Sequence, residues 1–195
     1  SMYDVILNDV NLRDCIIKSK WEFLSVAPSN LDLAGAEIEL VSAFNRERLL
    51  DGAISSVISE FDFVLIDCPP SIGLLTVNAL TAASEVLVPI QCEYLALEGL
   101  GQLLSNVERV KTHLNKELHI STIALVMFDA RTKLAGQVVE EIRSHFGERV
   151  CQQTVPRSVR LSEAPSYGQP IIYYDSSSRG AIAYRALAKE ITGGA

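Results

Sequence analysis

Apolar positions along this chain fall into two patterns. Short runs rich in apolar residues, the reading of strands buried on both faces, occur at residues 23–27, 63–67, 86–90, 120–128 and 171–173, and residues 152–155 are a further candidate strand. Between them, apolar residues recur at helical spacing over 46–59, 74–83, 97–114, 134–146 and 179–191, with shorter helical segments at 11–17 and 31–41. Strands separated by helix-sized segments predict parallel βαβ units. The expected fold class is therefore α/β, a layered and mostly parallel sheet flanked by helices. Gly147 stands where a helix C-cap would, and Pro89 near the end of its run suggests an edge or an irregularity. No internal repeat, low-complexity tract or linker interrupts the pattern, which predicts one domain over residues 1–195.

One run carries chemistry. Residues 63–67 end on Asp67, and Cys68, Pro69, Pro70 and Ser71 follow at once. A buried parallel strand delivers such a carboxylate to the carboxyl edge of a sheet, where α/β proteins bind ligands. In a phosphate-binding protein this aspartate holds Mg²⁺, usually through water, while a glycine-rich loop holds the phosphates. No G-x-x-x-x-G-K-[ST] occurs in the 195 residues. Taken alone, the same residues equally fit a stiff turn that starts the helix at Leu74.

Composition narrows the picture further. An apolar fraction of 48% with positive mean hydropathy indicates a buried core and excludes a disordered chain. The longest apolar runs are strand-sized, short of the ~20 residues that span a bilayer, and no signal-peptide pattern is evident. Cys15, Cys68, Cys92 and Cys151 are scattered without a C-x-x-C pair, as expected of reduced thiols in a cytosolic protein. His113, His119 and His145 lack zinc-ligand spacing. The net charge of −7 is uneven: residues 1–98 carry 15 acidic and 5 basic side chains, residues 99–195 carry 9 and 12. A polyanion partner is therefore expected on the second half. There, Arg131 and Arg160 lie in short polar segments after apolar strands. From the residues alone they read either as surface ion pairs, with Asp129 and Glu163 the nearby carboxylates, or as phosphate contacts.

Four stretches together, "DLAGAEIEL" from Asp32, "LIDCPPSIGLLTVNAL" from Leu65, "VPIQCEYLALEGL" from Val88 and "VPRSVRLSEAPSYGQPIIYYDSSSRGAIAYRALAKE" from Val155, resemble the ParA (Soj-like) chromosome and plasmid partitioning ATPases. The likeness runs from about Tyr3 to Ile191. It implies a deviant-Walker, P-loop NTPase-like fold in which ATP sandwiches two subunits into a homodimer. It also implies that the dimer binds DNA non-specifically and that a ParB-like partner stimulates hydrolysis, in a cytoplasmic, nucleoid-associated protein. By the same resemblance, Asp67 matches the aspartate that positions Mg²⁺ through water, with Pro69 and Pro70 in the adjoining switch loop. Pro156, Arg157 and Ser158 match the adenine-side loop, where many relatives carry Asn in place of Ser158. Glu93, Tyr94 and Glu98 fall in the segment facing the other subunit, and Arg131, Arg160 and, more weakly, Lys133 match its DNA-backbone contacts.

The resemblance also sets limits. MinD-like relatives bind membrane through a C-terminal amphipathic helix, and the tail from Ala188 is too short and too weakly amphipathic for that, so no membrane partner is expected. The family's lysine-bearing phosphate loop and its switch I aspartate match nothing in these residues and would lie upstream of Tyr3. The chain alone is therefore expected neither to bind ATP tightly nor to hydrolyse it, which leaves no catalytic residue among its own side chains. The strand before that loop is expected to pair near residues 63–67, so its absence predicts unpaired backbone there unless another strand substitutes. A non-catalytic DNA-binding or dimer-interface module is the alternative reading.

Overall fold

The computed structural model describes residues 1–69 and 71–193, so that Pro70 falls outside it. The chain divides into two compact units, Ser1–Ser84 with Asn106–His119, and Glu85–Ser105 with the chain from Ile120 onward.

The first unit holds α1 (Met2–Leu7), α2 (Leu12–Cys15), β1 (Ile17–Lys18), β2 (Ser25–Val26), α3 (Asp32–Glu39), α4 (Leu49–Ser55) and α5 (Leu74–Ala82). Apolar residues from four of these helices, among them Val5, Leu12, Leu50, Ile54 and Ala79, meet in one core with Leu40 and Val57. Asn78 sits inside this unit at 1% exposure. Its Oδ1 accepts from Leu50 N–H at 3.2 Å, and its Nδ2 donates to Arg46 O at 2.6 Å and Leu74 O at 2.9 Å. A buried amide is tolerable because its donors and acceptor are met, and here it ties the start of α4 to α5. The other end of α5 is closed by Asn115, whose Nδ2 reaches Leu80 O, Thr81 O and Ala83 O at 3.1, 3.1 and 2.7 Å. Those are carbonyls the helix itself leaves without partners.

Three expectations are corrected here. Residues 63–67 are not in a strand: among the described residues none lies beside them, and their one hydrogen bond is Cys68 Sγ–H to Ile66 O at 3.6 Å. Phe63, Val64 and Leu65 are 65%, 41% and 88% exposed, while Ile66 packs on the core. The missing pairing thus appears as exposed apolar side chains rather than as buried orphan amides, because water reaches this backbone. Of the run 23–27, Ser25–Val26 pairs antiparallel with Ile17–Lys18, and Phe23 takes the left-handed conformation (φ 62°) at the bend. This hairpin also stops the predicted helix 11–17 at Cys15.

The second unit contains β3 (Glu85–Gln91), the first part of α6 (Tyr94–His113), nearly all of β4 (His119–Val126), α7 (Lys133–Phe146), α8 (Val159–Glu163), α9 (Ile171–Tyr174) and α10 (Arg179–Ile191). β3 pairs with β4, and Cys92 N, just past β3, donates to Val126 O at 3.0 Å, so both strands finish at one edge. The expected run 152–155 lies between parallel bridges Ile123–Val150 and Phe128–Pro156, alongside β4. Ile123, Ala124 and Leu125 are successively buried, as required of a strand covered on both faces. α10 supplies Ala183 and Leu187 to a cluster with Ala124, Cys151 and Val155. Its Glu190 accepts the amides of Gln152 and Gln153 at 2.7 and 2.8 Å, and Arg143 Nη2 donates to Gln152 O at 2.9 Å. Two charged side chains thus satisfy backbone groups that do not bond to β4.

The fourth correction is at 171–173, predicted as a strand and found within helix α9. Tyr173 N and Tyr174 N both donate to Pro170 O, at 2.9 and 3.0 Å, closing a helical turn that buries Ile171 against Ala164 and Ala181. A short apolar run has the same pattern in a buried helical turn as in a strand. No helix among the described residues is long and apolar enough to cross a membrane.

Candidate functional site

The parallel order of the second unit gathers three loops at one edge. Phe128 N donates to Val155 O and Arg157 N to Phe128 O, both at 3.0 Å, which laces the loop after β4 to the segment that follows 150–156. Met127, at φ 54°, turns the chain out of β4. Arg157 Nη1 lies 4.0 Å from Glu93 Oε1 in the loop after β3. Glu93, Asp129, Arg131, Arg157 and the start of α8 therefore share the carboxyl edge, where open parallel sheets place their sites.

Within that edge, Arg131 lies side-on against Asp129. Its Nε donates to Oδ1 at 2.9 Å, its Nη2 to Oδ2 at 2.7 Å, and its backbone N–H also reaches Oδ1 at 3.0 Å. These bonds hold the Asp129 carboxyl well below the usual range, at about 2. Asp129 is the anchored partner at 21% side-chain exposure, and Arg131 the free arm at 87%. Arg160, on α8, is held on two sides: Nη1 is 3.1 Å from Glu163 Oε2 and Nε is 3.5 Å from Asp175 Oδ2. Tyr174 O–H donates to the same Glu163 oxygen at 3.2 Å. Lys133 opens α7, exposed, just after the N-cap Thr132, whose Oγ1 accepts from Ala135 N at 3.3 Å. Pro156 forms its bridge to Phe128, and Ser158 N-caps α8 without a side-chain bond to the helix.

The expected subunit-facing residues lie on the same unit. Tyr94 is the first residue of α6, Glu98 follows one turn later, and with Glu93 all three are exposed. An open groove of about 500 Å³ runs between β3 and this part of α6, lined by Val88, Ile90, Leu95 and Leu100 among others.

Asp67 belongs to the first unit, exposed at the end of the unpaired run. Cys68 beside it is exposed too, whereas Cys15, Cys92 and Cys151 are buried. Past Pro69 and the undescribed Pro70, Thr76 Oγ1 donates to Ser71 O at 2.7 Å and secures the turn into α5. Glu37 of α3 lies over Gly73, where an added Cβ would sit 1.8 Å from Glu37 Oε1, so a larger residue there would displace that carboxylate. The described residues contain no group of three or more His, Cys, Asp or Glu side chains placed to hold a metal. A single exposed carboxylate fits Mg²⁺, which keeps most of its waters and takes one or two protein oxygens besides phosphates.

Sequence reading found the arginines and two of their carboxylates but missed Asp175, which only the fold brings to Arg160. It also missed α1 and α8. The Ser1–Asp4 spacing, with Ser1 Oγ donating to Asp4 at 2.7 Å, was a usable signal for the first.

An AAA domain family model matches residues 1–120. Sporulation initiation inhibitor protein Soj of Bacillus subtilis (strain 168) is 52% identical over 190 residues, covering 97% of this chain and 75% of Soj. The chain belongs to the ParA/Soj family of chromosome-partitioning ATPases. Chromosome partitioning protein ParA of Myxococcus xanthus (strain DK1622) is 49% identical over 191 residues, which are 98% of this chain and 68% of that protein. Among solved structures, cobyrinic acid a,c-diamide synthase from Mycobacterium smegmatis, with bound ATP analog and magnesium, superposes with TM-score 0.81 at 34% identity, over 100% of this chain and 74% of that one. The Pyrococcus furiosus cell division ATPase MinD gives TM-score 0.79 at 24% identity, over 100% of this chain and 76% of that one. The ParA/Soj chain therefore has the expected P-loop NTPase-like α/β fold, with helices flanking a parallel sheet.

Proposed function

We propose that this chain is the larger part of a ParA-type partitioning ATPase domain and supplies its DNA-facing surface, in a protein that dimerises on ATP and is released through a ParB-like partner. The observation that carries this reading is the lacing of the loops after β4 and residue 156, which sets Arg131 and Arg160 on adjoining segments of one edge. Guanidinium groups exposed on a short loop and a short helix suit phosphate oxygens, which need a planar fork of donors and no base contact. Lys133 adds a third positive charge beside them. Glu93, Tyr94 and Glu98 supply the face toward a second subunit, and Pro156, Arg157 and Ser158 the adenine side.

Asp67 is the Mg²⁺ residue in this proposal. Bound Mg²⁺–ATP would supply charge neutralisation on the phosphates, and Asp67 would orient the metal through its water shell. These 195 residues by themselves neither bind ATP tightly nor hydrolyse it, because a carboxylate without a phosphate cradle has little to hold. A salt-dependent gel shift with a duplex of mixed sequence tests the DNA role. Arg131→Ala and Arg160→Ala should each weaken binding. Unchanged affinity in both variants refutes this surface. Titration calorimetry with MgATP tests the nucleotide statement, and affinity equal to that of Bacillus subtilis Soj would overturn it.

A further inference from the structure

The two arginines assigned to DNA are already occupied. We propose that Asp129, and Glu163 with Asp175, are built-in competitors for phosphate that hold Arg131 in a neutral pair and Arg160 between two carboxylates, so that polyanion binding requires those contacts to open. The inference rests on the DNA reading above and concerns how that surface is regulated.

The side-on fork of Arg131 on Asp129 spends two guanidinium donors on two carboxylate oxygens, at 2.9 and 2.7 Å. That is the bidentate geometry a phosphate would use. The pair is asymmetric. Asp129 also accepts Arg131 N–H through Oδ1, and its carbonyl accepts Thr132 Oγ1 at 3.1 Å, so the carboxylate stays in place while the exposed guanidinium can leave. Arg160 has carboxylates at Nη1 and Nε. An arginine beside its own carboxylate presents an incoming phosphate with a dipole rather than a charge, and the like charge of the carboxylate opposes approach. Exposed pairs of this kind are worth little, so a polyanion that engages several cations together can open them. Opening leaves a bare carboxylate that takes up a cation from solution, offsetting a counterion released from the DNA. A surface built this way binds weakly and lets go readily.

The test is a salt titration of duplex binding by the unaltered chain, Asp129→Asn, Arg131→Ala and the double variant. Asparagine keeps the Oδ1 acceptor for Arg131 N–H, so the turn is retained. Asp129→Asn should bind roughly three- to tenfold more tightly at low salt, with a slope steeper by about 1. In the Arg131→Ala background that gain should vanish, and Glu163→Gln combined with Asp175→Asn should behave likewise against Arg160→Ala. An equal gain with and without Arg131 would mean simple removal of negative charge and would overturn the competitor role. So would an unchanged or weaker Asp129→Asn. If Arg131→Ala and Arg160→Ala bind as the unaltered chain does, or no variant binds, the DNA reading falls and the competitor role with it.

Discussion

At the scale of single residues, two side chains have measurable consequences. Asn78 makes three hydrogen bonds at 1% exposure, and alanine there takes away the partner of Leu50 N–H and of the Arg46 carbonyl. Asn78→Ala is expected to cost about 2–4 kcal/mol, read as a lower urea midpoint with an unchanged slope. A loss under about 0.5 kcal/mol would show that water replaces the amide. Asp129 concerns pH instead. Its folded pKa of about 2 lies below the ordinary 3.8 because Arg131 bonds the ionised form. A depressed carboxylate stabilises the fold above its unfolded pKa, and that contribution disappears as pH falls from about 4 through about 2. The carboxyl carbon of Asp129, followed by NMR, should titrate near 2 and move up toward 3.8 in Arg131→Ala. A midpoint that ignores the arginine would contradict the pairing.

At the scale of elements, the run 63–67 separates what sequence can and cannot supply. Its four apolar residues have the pattern of a central strand, and pattern is all that a sequence fixes locally. A strand exists only with a neighbour, and among the described residues this one has none. Leu65, at 88% exposure, contributes little to the folded core. Leu65→Ser should therefore leave stability within about 0.5 kcal/mol and reduce both apolar-dye binding and self-association. A large fall in melting temperature would place Leu65 in a packed interface instead. α7 and α10 were legible because long periodic segments are governed by their own burial pattern. Residues 171–173 were not, because Pro170 and the pocket of Ala164 and Ala181 choose a helical turn for a run too short to declare a period. For the candidate site, sequence names Arg131, Arg160 and Asp67 one residue at a time. The pairing of Arg160 with Asp175, fifteen residues along the chain, depends on how α8 and α9 fold back.

At the scale of the whole molecule, charge and architecture agree. The acidic excess lies before residue 99 and the basic excess after it, while the edge bearing Arg131 and Arg160 belongs to the second unit. Residues 120–193, which carry that edge, have 9 basic and 7 acidic side chains and residues 1–69 have 5 and 12, so long-range attraction should steer a polyanion to the former stretch and away from the latter. Photo-crosslinking to a duplex should label peptides from residues 120–193 and leave residues 1–69 unlabelled. Labelling spread evenly over both would reject the assignment.

The exposed thiol at Cys68 has a practical consequence. Three of the four cysteines are buried, so a maleimide fluorophore has one accessible attachment point, adjacent to Asp67. Partial desolvation, and then the charge of Asp67, pushes this thiol's pKa up, so the conjugation is slow at neutral pH and accelerates as the solution is made alkaline. The chain thereby carries its own optical reporter at the turn where a metal, a nucleotide or a pairing strand would arrive.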